Sequence, residues 1–263
     1  DLFEKVRGLE VVDLIRRSGF YPFFRKLEGS RGNNVVHNGQ EYIRHCLRAV
    51  YAQTHPAIEV IVLDNASTDA TIQIIREEFP QARCIEYPQN LGMWPGHEKL
   101  LAHSNGVYIV GLSVDVILHP DFVREAVTVA ESDPRIGAIQ AKTYQYQSPQ
   151  LIDGSYRESR IIDTCGFALS RGRKVINLGH GDPDAVRWSR QRDIFGVEGA
   201  TPFFRRTALE ACRVGGSIWD PDFFWYGDDL DLAWRMTLFG HRQVFVPSAI
   251  AWHDRSTTKG AAR

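Results

Sequence analysis

The sequence predicts an α/β fold in which a mostly parallel first half merges with a mixed α+β second half, and three observations carry that expectation. Between residues 40 and 112, short apolar or β-branched runs alternate with segments of helical periodicity, the pattern of a parallel sheet with right-handed crossovers. Beyond Asp115 the alternation gives way to a helix, a strand, a long Gly-, Ser- and Arg-rich stretch, and a further helix followed by a strand. The 263 residues, 43% of them hydrophobic, suffice for one compact body with two lobes.

Residues 1–29 set Leu2, Val6, Leu9, Val12 and Ile15 three or four apart. This predicts an amphipathic helical leader, suited to pack on the body, to meet a neighbouring domain or to lie on a membrane surface. Residues 30–263 are expected to form a single domain with halves 30–115 and 116–263. From Gln40, the residues Ile43, Leu47, Val50 and Tyr51 mark a helix face, and Pro56 follows its end. A buried strand over Ile58–Leu63 stops at Asp64, and helix Thr71–Phe79, strand Arg83–Tyr87, a helix over Gly96–His103 and strand Val107–Leu112 follow. In such sheets ligands collect at the carboxyl ends of the strands. The second half is expected to hold helix Pro120–Ala130, strand Ile136–Ala141 and a loop from Gln147 to Arg192, mobile from Arg171 onward. After it come a capping box of Thr207 and Glu210, helix Asp229–Phe239 closed by Gly240, and strand Gln243–Val246 halted at Pro247.

Composition narrows the function classes. A net charge of −1 supplies no basic field for a nucleic-acid backbone. The cysteines, Cys46, Cys84, Cys165 and Cys212, are far apart and suggest free thiols in a reducing compartment. No run approaches the roughly 20 apolar residues of a membrane span, and no basic then apolar leader is visible.

Five constellations stand where chemistry is expected. Asp64-Asn65-Ala66-Ser67-Thr68-Asp69 lies where a buried strand meets a helix; it suits a carboxylate that accepts a base or ribose donor, and equally a capping turn. Asn90-Leu91-Gly92 precedes a helix and suits a backbone approach to phosphate, or an ordinary loop. Asp115, reached through Ser113 from a buried strand, suits a hard divalent cation or a turn. In Trp225-Tyr226-Gly227-Asp228-Asp229-Leu230-Asp231 the acids exceed what one helix dipole needs, and mutual repulsion would raise one pKa, as a general base requires. His253, alone in sequence, becomes a second ligand only if paired in space with Asp115.

Taken together and in this order, from about Val35 to His253, these residues resemble family 2 glycosyltransferases of the GT-A fold, especially a rhamnosyltransferase-like branch. The resemblance implies a Rossmann-like nucleotide-binding half (30–115) and an acceptor-binding half (116–263). It implies that Asp64 contacts the base, with Asn65, Asn90, Gly92 and Ser113 on the donor side, and that Asp115 and His253 hold Mg²⁺ or Mn²⁺. Gly199, Ala200 and Trp225 would line the acceptor side, and Asp229, beside Asp228, would be the catalytic base. Asp228 is expected to be the N-cap, with a low pKa. The reaction implied is inverting transfer from a nucleotide-diphosphate sugar to a hydroxyl of a glycan or lipid-linked glycan, in polysaccharide or cell-envelope synthesis. It would take place in the cytoplasm, with the inner face of the membrane as the alternative. Three places depart from the family pattern: Ser113 in the cation motif, Asp228 where Glu is commoner, and a polar segment at 31–36 before His37-Asn38-Gly39. The competing reading is a non-catalytic nucleotide-sugar or glycan-binding module of the same fold.

Overall fold

The computed structural model describes residues 39–220 and 227–255. The leader at 1–29, the segment 31–36, the His37-Asn38 pair and Trp225 therefore lie outside the described residues.

Helix α1 (Ile43–Tyr51) turns Ile43 and Leu47, one turn apart, into a small core with Ile74, Ile75 and Phe79, the apolar face and end of helix α2 (Thr71–Glu78). Against this core lies a parallel pair, β1 (Ile61–Asn65) and β2 (Arg83–Tyr87), in register from Ile61 opposite Arg83 to Asn65 opposite Tyr87. Helix α3 (Met93–His103) begins three residues before the expected Gly96, because Pro95 falls in the first turn, where no helical N–H bond is lost. Gly92 precedes it at φ 84°, a conformation open to glycine at little cost.

Seven strands form the larger sheet. Its main path runs β3 (Tyr108–Val110), β10 (Phe203–Arg205), β5 (Ile136–Gln145), β11 (Arg242–His253) and β4 (Val116–Leu118), while β6 (Ile162–Thr164) pairs with β5 and β9 (Arg192–Ile194) with β11. Only β5 and β11 are parallel here; β3 enters antiparallel to β10, not as a continuation of the parallel pair that its sequence suggested. Strand β5 is buried on both faces: Ile139 and Ala141 join the core under helix α4 (Phe122–Ser132), while Ala138 points to the opposite core with Trp94, Phe204, Leu209 and Met236. On α4 the buried residues Phe122, Ala126 and Ala130 recur every fourth position, and the two alanines let the helix approach the sheet closely.

Other expectations are corrected. Pro247 does not end the last strand; β11 continues to His253 through a register shift between Val246 and Ile250, a bulge that accommodates a residue with no N–H. Thr207 does not cap a helix, since α6 (Arg206–Ala211) already begins at Arg206 and has no side-chain cap. The stretch 147–192 is not one loop: it builds α5 (Gln150–Asp153), strand β6 and a hairpin of β7 (Phe167–Leu169) with β8 (Val175–Asn177). Helix α7 spans Asp228–Leu238.

Candidate active site

The carboxyl end of β1 carries the first group of side chains. Asp64 is buried, and its carboxylate accepts the Ser67 N–H at 3.2 Å, closing the turn into α2. Asn65 bridges to the next crossover: its Nδ2 donates to Asn90 Oδ1 at 2.8 Å and to the Gly92 carbonyl at 3.2 Å, and its Oδ1 accepts the Leu91 N–H at 2.7 Å. The Asn90 Oδ1 also accepts the Gly92 N–H at 2.8 Å. The structure thus brings Asp64, Asn65, Asn90 and Gly92 to one end of the parallel pair and keeps the loop that opens α3 in a single geometry.

Sheet pairing brings Asp115 and His253 together. Strand β4 runs antiparallel to β11 with Val116 opposite His253, so the residue before β4 meets the end of β11. The Asp115 carbonyl accepts the Asp254 N–H at 3.1 Å and the Tyr146 hydroxyl at 2.9 Å, and Asp115 Oδ1 stands 3.8 Å from His253 Nε2. Both side chains are largely buried.

Around His253 the structure adds three residues that sequence reasoning missed. Asp163, in the middle of β6 and fully buried, accepts the His253 Nδ1–H at 2.9 Å and receives Arg255 Nε. Glu198 accepts Arg255 Nη2 at 3.0 Å and the Ala200 N–H at 3.0 Å, while its own N–H donates to the buried Gln140 side chain at 2.7 Å. Asp163, Glu198 and His253 offer ligand atoms within 4.8 Å of one another. Burial would raise the Asp163 pKa, but the His253 hydrogen bond and the Arg255 charge outweigh it and hold the carboxyl below its usual range. Burial alone would lower His253; the bond to Asp163 and the charges of Glu198 and Asp115 turn the shift upward. One signal for Asp163 was present in the sequence: a carboxylate directly after the apolar pair Ile161-Ile162 is costly to bury without a partner.

The acidic pair opens α7. Asp229 is half-buried beside Trp94, Gly199, Pro202 and Phe204, and its pKa is pushed up to about 7 by burial and then by the charge of Glu198. Asp228 does not cap the helix. Gly227 is the N-cap at φ 94°, and Asp228 is itself buried in the first turn, with one carboxyl oxygen lacking a hydrogen-bond partner among the described residues. Burial and the adjacent Asp229 push its pKa up to about 8, the reverse of the low value expected of a cap. Asp231, the third acid, accepts Arg235 Nε at 2.9 Å, one turn along the helix.

Two contacts join the groups. Ser113 donates its N–H to the Ala200 carbonyl at 2.9 Å, setting the segment before Asp115 against the Gly199-Ala200 loop. A Cβ built on Gly199 would stand 3.1 Å from the Trp94 ring, so this loop lies flat against the helix that Gly92 starts. A carboxylate and an imidazole nitrogen beside further acids suit Mg²⁺ or Mn²⁺ better than a soft metal.

Comparison with known proteins gives the family and the fold. Residues 35–196 match the Glycosyl transferase family 2 model. The N-acetylglucosaminyl-diphospho-decaprenol L-rhamnosyltransferase of Mycobacterium tuberculosis is 26% identical over 247 residues, 86% of this chain and 76% of that one. The poly-beta-1,6-N-acetyl-D-glucosamine synthase of Staphylococcus epidermidis is 21% identical over 230 residues, 87% of this chain but 50% of the synthase. Among solved structures, GalNAc-T7 with UDP, GalNAc and Mn²⁺ aligns at a TM-score of 0.63 with 12% identity, covering 81% of this chain and 41% of that one. A mannosyltransferase of Pyrobaculum calidifontis in complex with GDP-mannose and Mn²⁺ aligns at 0.53 with 22% identity, covering 81% and 52%. The fold is that of the GT-A glycosyltransferases, and the chain belongs to glycosyl transferase family 2.

Proposed function

We propose that this protein transfers a sugar from a nucleotide-diphosphate sugar to an acceptor hydroxyl, with inversion and with the help of a divalent cation, in cell-envelope glycan synthesis. The observation that carries the reading is the convergence on Glu198. That carboxylate belongs to the Asp163, Glu198 and His253 cluster, and its charge also raises the pKa of Asp229. In this reading residues 30–263 act as one domain. Asp64 accepts a donor hydrogen from the base, while Asn65, Asn90, Gly92 and Ser113 shape the pocket for ribose and diphosphate. Asp115 and His253 hold Mg²⁺ or Mn²⁺, which when bound would neutralise charge on the departing diphosphate. Gly199 and Ala200 border the acceptor.

Asp229 is the general base. Burial and the charge of Glu198 leave the carboxyl poised near neutral pH, where it is strong enough to take the acceptor proton and still ionised in part. The deprotonated acceptor oxygen attacks the anomeric carbon from the face opposite the diphosphate, one bond forms as the other breaks, and the configuration inverts. The relatives named as acting on a decaprenol-linked sugar or as making a polysaccharide support a glycan or lipid-linked glycan acceptor. No helix among the described residues is long and apolar enough to cross a membrane, and work at the cytoplasmic face is part of the proposal.

A screen of UDP-, dTDP- and GDP-sugars with Mn²⁺, read by nucleotide release and by the anomeric configuration of the product, tests the proposal. Turnover with inverted product is expected. Tight nucleotide binding with no turnover on any donor would favour the non-catalytic binding module.

A further inference from the structure

We propose that Asp163 is the positioning residue of the cation site: by accepting the His253 Nδ1–H it holds the imidazole so that Nε2, turned toward Asp115, is the ligand atom, and it is not itself a ligand. The inference rests on the cation reading above and deepens it. Three observations carry it. Both carboxylate oxygens of Asp163 are already engaged, Oδ2 by His253 Nδ1 at 2.9 Å and Oδ1 by Arg255 Nε, and the side chain is wholly buried. Glu198 is engaged likewise, by Arg255 and by the Ala200 N–H. The remaining nitrogen of the ring, Nε2, is 3.8 Å from Asp115 Oδ1, too far for a hydrogen bond and close enough for both to reach one ion.

A neutral imidazole carries one N–H, and an ionised carboxylate only accepts. Asp163 therefore selects the Nδ1–H tautomer and leaves the Nε2 lone pair for the cation, while the pairing of β6 with β5 and of β5 with β11 holds carboxylate and ring in place. A carboxylate behind a ligating histidine also raises the basicity of the ligand, and loss of such a partner commonly weakens metal binding about 10- to 100-fold.

The test is a double-mutant cycle on Mn²⁺ affinity, followed by electron paramagnetic resonance with and without UDP, dTDP or GDP, using wild type, Asp163→Asn, His253→Ala and the double variant. An asparagine amide can donate to Nδ1 and so select the tautomer in which Nε2 carries the proton. Asp163→Asn is expected to weaken Mn²⁺ by about 10- to 100-fold. In the His253→Ala background it is expected to cost nothing further, because it acts only through the ring. A further tenfold loss in that background would show direct ligation by Asp163, and no loss in the single variant would show that it has no role; either overturns the proposal and leaves the cation reading standing. Wild type that binds no Mn²⁺ under any of these conditions would remove both. Should Asp163→Asn not fold, nitrogen-15 spectra of the wild-type ring, at a pH where it is neutral, still decide. Nδ1 is expected to carry the proton, and a proton on Nε2 overturns the assignment.

Discussion

Asp228 and Asp229 share a helical turn, yet they differ in what surrounds them. Asp229 is half-buried beside Gly199, and Asp228 is buried with one carboxyl oxygen lacking a partner among the described residues. If Asp229 is the base, Asp229→Asn should lower kcat by about 10²- to 10⁴-fold with little change in donor affinity, measured by steady-state kinetics and by nucleotide titration. The wild-type rate should rise with pH through about 7, as the Asp229 carboxyl ionises, and then level off. A rate independent of pH from 5 to 9 would count against that role.

For Asp228 the sign of the stability effect follows from its raised pKa. The folded carboxyl keeps its proton up to about pH 8, whereas the unfolded one loses it near the ordinary value of 3.8. The folded state binds more protons in that window, so stability is full below about pH 4 and is lost as pH rises to about 8. Asparagine does not ionise. Asp228→Asn should therefore match wild type in urea denaturation at acid pH and exceed it at pH 8, by about 1.4 kcal/mol for each unit by which the folded pKa is raised. Equal pH dependence of the two proteins would exclude a buried, protonated Asp228.

At the scale of elements, the site depends on how closely α7 approaches the segment after β9. A Cβ built on Gly196 would stand 2.7 Å from the Ala233 Cβ, and Ala233 lies one turn beyond Asp229 on the same helix. Gly196→Ala should push α7 outward, costing about 1 to 3 kcal/mol by overpacking. In enzyme that remains folded, kcat should fall more than KM rises, since the base moves while the donor pocket at β1 is untouched. Thermal unfolding together with a split of kcat from KM checks this. Gly137→Ala crowds β5 against Ala208 and His241 at 2.9 Å, and serves as the comparison that costs stability without displacing Asp229.

Across the whole molecule, the parallel pair and the seven-stranded sheet each bring part of the proposed site, and Mg²⁺ or Mn²⁺ is the group expected to connect donor to protein. Removal of divalent ions with EDTA should abolish transfer, and added Mn²⁺ should restore it. Asp115→Ala should remove the cation dependence of donor binding. Full turnover in excess EDTA would refute the cation proposal. These measurements concern the site as an assembly, because Asp115, His253 and Glu198 come from separate parts of the chain and meet only when β4, β5 and β11 are paired.

By itself the sequence determined the elements around each contiguous motif. The apolar run that ends at Asp64, the Asn90-Leu91-Gly92 start of a helix and the acidic opening of α7 are local patterns, written within a few residues of one another, and the structure places each at an element boundary. Candidate pairs such as Asp115 with His253 were legible as chemistry but not as contacts. Tertiary structure alone decided that β3 joins the antiparallel side, that β11 continues past Pro247 through a bulge, and that Asp163 stands behind His253 although 90 positions separate them. It also decided that Asp228 is buried, with its pKa pushed up to about 8, and does not cap the helix. Helix starts and strand runs depend on neighbours in sequence, whereas strand pairing, burial and the field of distant charges depend on which parts of the chain pack together, and those quantities set the register of β11 and the pKa of a carboxyl.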